Sequence, residues 1–209
     1  MTAPPTGESG PRRVEAVGDA ALRWRRDPTR DARSLLDALR SHPGVVDAVV
    51  TELHALVTFD PARPPDAPWM LEDRVPPAGV GTTGREHVLR ARYDGPDLDE
   101  VAARAGLSRA ETIRLHTEAI YTVRFVGFLP GFAYLGPVPP PLVLARRAIP
   151  RPCVEPGSIG LAGGYTGIYP FASPGGWHLV GRAVDFTPFD VARGALLALG
   201  DRVRFEAVR

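Results

Sequence analysis

The chain has 209 residues, 44% hydrophobic and 23% charged, as expected for one large or two small folded domains in water. Its formal net charge of +1 gives no strong field to attract nucleic acid or an anionic membrane. No apolar run is long enough to span a bilayer, and the single cysteine, Cys153, excludes an intrachain disulfide and a cysteine-cluster zinc site. We therefore predict a cytoplasmic protein that binds neither nucleic acid nor membrane. The scattered histidines show no ligand spacing, so no metal is expected.

The basic residues are of one kind: all 25 are arginine, and the chain contains no lysine. A chain without lysine has no Schiff-base nucleophile, no P-loop lysine and no biotinylation site. We therefore expect this chain to bind no cofactor itself. If ATP or biotin is used in its pathway, another chain must supply that machinery.

Residues 13–84 are predicted to form a small α/β domain with a linker. Two short strands are predicted within 14–26, a helix within 31–41, and a hairpin from the stretches VVDAVV and ELHALVTFD. The segment 61–84 is rich in proline and glycine, which indicates a linker or long loop. Residues 1–12 lack an apolar pattern and are predicted to be a disordered tail.

Residues 85–209 are predicted to form a second domain, rich in β-structure. Eleven of the chain's 22 glycines fall within 127–181, between short runs of strand-forming residues. Many short strands joined by Gly/Pro turns are typical of a compact β-barrel or sandwich. A final strand, RVRFEAV, alternates apolar and polar residues.

The segment DEVAARAGLSRAETIRLH resembles a DNA-binding helix-turn-helix, with a glycine in the turn and Ser108 capping the second helix. The second helix argues against that function. Thr112 occupies the position of the usual buried aliphatic residue, and Ile113 follows one residue late, which rotates the apolar face by about 100°. We interpret the segment as two short packed helices.

Three glycine-bearing segments are candidates for a binding site: FVGFLPGFAYLG at 125–136, PRPCVEPGSIGLAGGYTGIYP at 150–170 and SPGGWHLVGR at 173–182. Backbone amides beside glycine can approach a carboxylate or phosphate without an intervening side chain. Tight β-turns are the alternative explanation of these glycines. The predicted binding residues are those of the amides and the flanking aromatics: Gly131, Phe132, Gly157, Ser158, Gly175, Gly176 and Trp177.

The side-chain chemistry of these segments leaves several roles open. Arg151 and Arg182 are candidates to hold a substrate carboxylate, because a guanidinium binds two oxygens at once; an internal salt bridge is the competing interpretation. The catalytic candidates are His178, Ser158 and Glu155. Ser158 has no GxSxG context, and as a nucleophile it would need His178 or another histidine as its base.

The blocks RLHTEAIYTVRFVGFLPGFAYLG and GSIGLAGGYTGIYPFASPGGWHLVGR, in this order, resemble the family of the B-type subunit of bacterial 5-oxoprolinase. This family is also called allophanate hydrolase subunit 1 and includes an inhibitor of a sporulation histidine kinase. The resemblance implies an α+β protein: an N-terminal ferredoxin-like α/β domain followed by a C-terminal cyclophilin-like β-barrel. One departure is VEPGS in place of the family's usual VPAGS, which introduces Glu155 beside the predicted site.

The function implied by this resemblance is that of a non-autonomous hydrolase subunit. Together with the related C-type subunit and a third subunit, it would open the lactam of 5-oxoproline to glutamate, with ATP used through another subunit. Its own pocket would bind a small carboxylated substrate. Two alternatives remain: a carboxyltransferase-like subunit of an allophanate or urea pathway, and a regulatory protein that inhibits a histidine kinase.

Overall fold

The computed structural model describes residues 13–79 and 84–208. The predicted tail at 1–12 lies outside the described residues. Residues 80–83 of the predicted linker also lie outside them. The chain divides into two compact units, Met1–Thr82 and Thr83–Arg209. Helices and antiparallel sheet in the first and a barrel in the second confirm the predicted α+β class.

The first unit is a four-stranded antiparallel sheet with one helix. Its elements are β1 (Val14–Ala16), β2 (Ala21–Arg25), α1 (Ala32–Arg40), β3 (Val45–Val50) and β4 (His54–Phe59), with the sheet order β1-β2-β4-β3. Asp31 begins α1 as N-cap by accepting the Ser34 N–H at 2.7 Å. Leu35 and Leu39 are fully buried one turn apart, which is the apolar stripe predicted from their spacing.

The segment predicted as a linker is partly ordered within this unit. A 3₁₀ helix occupies Pro68–Arg74, and its Glu72 is fully buried. The carboxylate of Glu72 accepts the backbone N–H of Asp27 at 2.6 Å and lies 3.9 Å from the guanidinium of Arg26. A buried carboxylate requires such partners, and the sequence pattern missed them because Arg26 lies more than 40 residues away.

The second unit is built around a closed seven-stranded barrel. Its helices are α2 (Leu98–Ala105), α3 (Arg109–Glu118) and a 3₁₀ turn at Pro140–Leu142. Its strands are β5 (Glu86–Arg92), β6 (Tyr121–Val126), β7 (Ala133–Gly136), β8 (Arg151–Val154), β9 (Ser158–Ala162), β10 (Tyr165–Ile168), β11 (Ser173–Gly175), β12 (His178–Ala183), β13 (Phe189–Asp190), β14 (Gly194–Ala195) and β15 (Arg202–Ala207). The strand order of the barrel is β10-β7-β6-β15-β5-β12-β9, and among these seven strands β15 and β5 are the one parallel pair.

Strand β9 separates two apolar clusters of this unit. Ile159 and Leu161 belong to the main core, whereas Ala162 belongs to a second cluster of aromatic residues. Gly160 faces that second cluster, because a Cβ there would lie 3.1 Å from both Trp177 and Tyr169. A strand that is covered on both faces is typically apolar along most of its length, and β9 has this pattern.

The two helices of the DNA-binding-like segment pack as predicted. Thr112 is buried and donates its hydroxyl to the Ser108 carbonyl, so it does not present a polar face to a partner. Ser108 and Glu111 form a reciprocal capping box at the start of α3. None of the helices within the described ranges has the length and apolar character needed to cross a bilayer.

Candidate functional site

All three glycine-bearing segments contribute residues to one pocket of about 240 Å³. We call it the aromatic pocket. Its lining residues are Phe128, Phe132, Tyr134, Arg146, Pro150, Tyr169, Pro174, Gly175, Gly176 and Trp177. The segment 150–170 takes part through Pro150 and Tyr169, although its Gly157 and Ser158 do not line this pocket.

The hairpin of β6 and β7 supplies the aromatic wall of the pocket. Phe132 is buried, with its ring centroid 5.3 Å from that of Trp177 in edge-to-face geometry. Tyr134 lies on the same side, with its ring centroid 5.4 Å from Trp177. In the connecting turn, Phe128 has a φ of 75° and is 60% exposed. An exposed phenylalanine held in the left-handed region is strained, which marks the turn as a candidate functional feature.

The glycine pair on the other side of the pocket has two different roles. A Cβ on Gly175 would lie 2.5 Å from the Tyr169 hydroxyl oxygen, so only glycine allows this tyrosine to lie against the backbone. A Cβ on Gly176 would find its nearest neighbour, Pro150, at 3.8 Å. Gly175 therefore fixes the tyrosine, while Gly176 leaves open backbone at the pocket surface.

The electrostatics of the aromatic pocket are set by one arginine. Arg146 is exposed and makes no hydrogen bond or ion pair with any described residue. Burial raises the pKa of Tyr134 and of Tyr169, and the charge of Arg146 partly opposes the shift at both. Both phenols are therefore protonated near neutral pH, and the pocket presents one cation and two hydroxyl donors.

Arg151, a candidate carboxylate binder, is instead held inside the fold. Its Nη2 donates to Asp97 Oδ1 at 2.6 Å, and Arg147 donates to the same oxygen at 3.0 Å. Asp97 Oδ2 accepts the Leu179 N–H at 2.7 Å. Burial would raise the pKa of Asp97, but the Arg151 and Leu179 hydrogen bonds and both arginine charges together hold it below its usual value. The geometry thus favours the competing interpretation, an internal salt bridge.

None of the three catalytic candidates lines the aromatic pocket. His178 is fully buried, and its Nε2–H donates to the Ala145 carbonyl at 3.0 Å. Glu155 is exposed beside Cys153. Ser158 and His178 lie at opposite ends of the strand pair formed by β9 and β12, which separates nucleophile from base. The described residues also contain no cluster of three or more potential His, Cys, Asp or Glu metal ligands.

Gly157, Ser158 and Arg182 lie together elsewhere. Ser158 and Arg182 line a second open cavity of about 370 Å³, which we call the arginine cavity. Gly157 has a φ of 80° in the turn before β9, with the Arg182 side chain close by. Gly131 also lies in a turn, at φ 81°, where a Cβ would be 2.8 Å from Phe189. The remaining lining residues of the arginine cavity are Arg92, Asp94, Gly95, Pro96, Leu179 and Gly181.

Sequence reasoning missed the residues whose importance depends on distant partners. Arg146 and Arg147 are adjacent and carry no distinguishing signal in the sequence. Arg147 is paired by Asp97 and Glu100, and Arg151 by Asp97, all some 50 residues away. Phe128 carries a signal in its glycine-rich surroundings, but its positive φ is visible only in the structure.

The comparisons with known proteins agree on the family. Residues 13–198 match the family model "Carboxyltransferase domain, subdomain C and D". The chain is 50% identical to the B-type subunit of 5-oxoprolinase from Escherichia coli O157:H7 over 113 residues, which are 53% of this chain and 51% of that protein. The chain thus spans about half the length of the curated relative it matches.

Solved structures show the same fold. The crystal structure of TTHA0988 is 37% identical, with a TM-score of 0.79 over 90% of this chain and 40% of that one. The Kluyveromyces lactis urea amidolyase shares only 18% identity, with a TM-score of 0.71 over 94% of this chain and 15% of that one, and so indicates the fold alone. The predicted family resemblance is confirmed, and the chain belongs to the carboxyltransferase domain family, subdomain C and D.

Proposed function

We propose that this chain is the B-type subunit of a 5-oxoprolinase-type complex and that its aromatic pocket binds a small, flat, carboxylated lactam. One observation carries the proposal: the guanidinium of Arg146, which has no partner among the described residues, stands at a small pocket with aromatic walls. The name of the relative from Escherichia coli supports the choice of substrate class.

The pocket fits such a ligand in size and in shape. Its volume of about 240 Å³ is below the range of about 300–1,000 Å³ usual for drug-sized ligands, so a small molecule fills it. The rings of Phe132 and Trp177 offer apolar surface to a flat ring, and Gly176 lets the ligand approach the backbone. The guanidinium of Arg146 binds a carboxylate through two parallel hydrogen bonds.

The two tyrosines give the pocket a polarising role. Because their pKa values are raised, the hydroxyls of Tyr134 and Tyr169 donate to a lactam carbonyl oxygen but do not remove a proton near neutral pH. No carboxylate, thiol or imidazole is among the residues that line the aromatic pocket. The chain therefore binds and orients the lactam, and the reactive groups and the ATP site belong to the C-type and third subunits.

A second candidate function is that of a subunit acting on allophanate in a urea pathway. The family name refers to carboxyltransferase chemistry, and allophanate is also flat and carries a carboxylate. A pocket with aromatic walls and one guanidinium accepts either molecule. Turnover by the assembled complex discriminates between the two functions.

The binding test uses two ligands that differ only in the carboxylate. We expect 5-oxoproline to bind the purified chain in calorimetric titration and 2-pyrrolidinone, which has the same ring without the carboxylate, to bind more weakly. Arg146→Met should weaken 5-oxoproline binding about tenfold or more, because a charged hydrogen-bonded pair is lost. Arg204→Met, an exposed arginine outside the pocket, is the control for lost charge. Equal binding of the two ligands would contradict the assigned role of Arg146.

The functional test uses the assembled complex. Co-expressed with its C-type partner and the third subunit, this chain should support ATP-dependent formation of glutamate from 5-oxoproline. Arg146→Met should raise the KM of the complex for 5-oxoproline more than it lowers kcat. A fully assembled complex that turns over allophanate and leaves 5-oxoproline unchanged would establish the second candidate function instead.

A further inference from the structure

The arginine cavity contains two like charges placed directly opposite each other. Arg92 on β5 and Arg182 on β12 are register partners in an antiparallel pair. Partners in such a pair extend from the same face of the sheet, with Cβ atoms about 5 Å apart. Both are exposed, and within the described part of the chain neither guanidinium has a hydrogen-bond or ion-pair partner. Like charges directly opposite on a sheet are destabilising.

These two arginines form a row with the hydroxyl of Ser158 on the next strand. Arg182 is also the register partner of Ser158 on β9, so Ser158, Arg182 and Arg92 lie side by side across three neighbouring strands. All three line the same cavity of about 370 Å³. Ser158 is only 6% exposed, so its side chain lies at the base of the row.

Close packing of backbones holds the two arginine-bearing strands in place. A Cβ on Gly181 would lie 2.3 Å from the Arg92 carbonyl oxygen, and one on Gly95 would lie 2.3 Å from the Leu179 carbonyl oxygen. A side chain at either glycine would force the neighbouring backbone segments apart. Asp94 also lines the cavity, so the charged side chains that line it have a net charge of +1.

From this arrangement we propose that the arginine cavity is a binding site for a small-molecule oxyanion, either a phosphate or a carboxylate. Two guanidinium groups and a hydroxyl offer convergent donors to a single anion, and its charge offsets the repulsion between the arginines. The site is separate from the proposed lactam pocket, with which it shares no lining residue. Its failure would therefore leave the proposed function untouched.

The test measures the thermal unfolding midpoint of the purified chain with inorganic phosphate and, separately, with succinate, in a buffer free of other oxyanions. A ligand that binds only the folded chain raises the midpoint. We expect one of the two anions to raise it, and the more effective one identifies the ligand class. Arg92→Met and Arg182→Met should each weaken binding of that anion about tenfold or more in titration calorimetry. Arg204→Met, which removes an exposed arginine outside the cavity, should bind it as the parent does.

A second test measures the thermal unfolding midpoint without any anion. Without an anion, Arg182→Met should unfold at the same temperature as the parent or higher, because the opposed charge is removed. A lower midpoint without anion, together with anion shifts equal to those of the parent, would show that the row is structural and overturn the proposal. Failure of both anions to shift the parent midpoint would overturn it as well, as would equal binding by all variants, which indicates general charge screening.

Discussion

His116 and Tyr93 share a 2.6 Å hydrogen bond in the core of the second unit, between Nδ1 and the phenolic oxygen. The protons of this network are fixed by its far end: Thr166 donates its hydroxyl to the Gly160 carbonyl at 2.9 Å. The His116 Nε2–H therefore donates to Thr166 at 3.0 Å, and Nδ1 accepts from Tyr93. The histidine is neutral, and burial lowers its pKa to about 3.

The first prediction concerns the acid sensitivity of this network. The pKa of His116 falls from 6.5 in the unfolded chain to about 3 in the folded one, so the unfolded chain binds the extra proton between these values. Its contribution to stability is complete above about pH 6.5 and is lost as the pH falls toward 3. In urea unfolding, His116→Leu should reduce the slope of the unfolding free energy between pH 5 and 6 by up to about 1.4 kcal/mol per pH unit. An unchanged slope would refute the assignment.

The second prediction concerns the carboxylate of Asp97. Asp97→Asn leaves Arg151 without its counterion, and Arg147 with only Glu100 at 3.4 Å, in a mostly buried position, and should cost about 3 kcal/mol of unfolding free energy. Asp99→Asn is the matched control, because Asp99 pairs with Arg109 in an exposed ion pair and its loss should change stability by less than about 1 kcal/mol. Similar costs for the two variants in urea unfolding would contradict the central role of Asp97.

The third prediction separates the two pocket glycines. Gly175→Ala places a methyl group against the Tyr169 hydroxyl and should cost about 1–3 kcal/mol while weakening 5-oxoproline binding. Gly176→Ala has room for its methyl group and should leave Tyr169 in place with a smaller loss of stability. Thermal unfolding and titration calorimetry on both variants test this, and an equal response of the two would disprove the packing argument.

The fourth prediction uses the strained residue at the rim. Phe128→Gly relieves the positive φ, so stability should stay within about 1 kcal/mol of the parent, while 5-oxoproline binding weakens because one aromatic wall is lost. Phe128→Ala loses the same ring but keeps the strained backbone, so it should be less stable than Phe128→Gly. If Phe128→Gly retains full affinity, the ring does not contribute to the pocket.

Much of the local structure could be predicted from the sequence because it depends on local rules. Three examples are the leucine spacing of α1, Ser108 as the cap of α3, and the alternation of β15. Each involves residues that are only a few positions apart in the sequence. The glycine- and proline-bounded short strands predicted a barrel or a sandwich, and the family resemblance implied the barrel, which is what the structure has.

The division of the predicted site into two cavities could not be predicted. Ser158, on strand β9, lines the arginine cavity. The residues that line the aromatic pocket come from 128–134 and from the segment between Arg146 and Trp177. Which face a residue occupies depends on strand pairing over 20 to 90 residues, such as Arg182 with Arg92. No hairpin turn joins strands so far apart, so turn geometry does not reveal their register in the sequence.

The barrel closes through its last strand. β15 lies between β5 and β6, pairing in parallel with one and antiparallel with the other, although β5 precedes it by more than 100 residues. During synthesis on the ribosome, β5 and β6 therefore present unpaired edges until residues 202–207 have emerged from the exit tunnel. Such long-range closure slows folding, and a nascent chain that stalls before this point exposes two open edges to neighbouring chains.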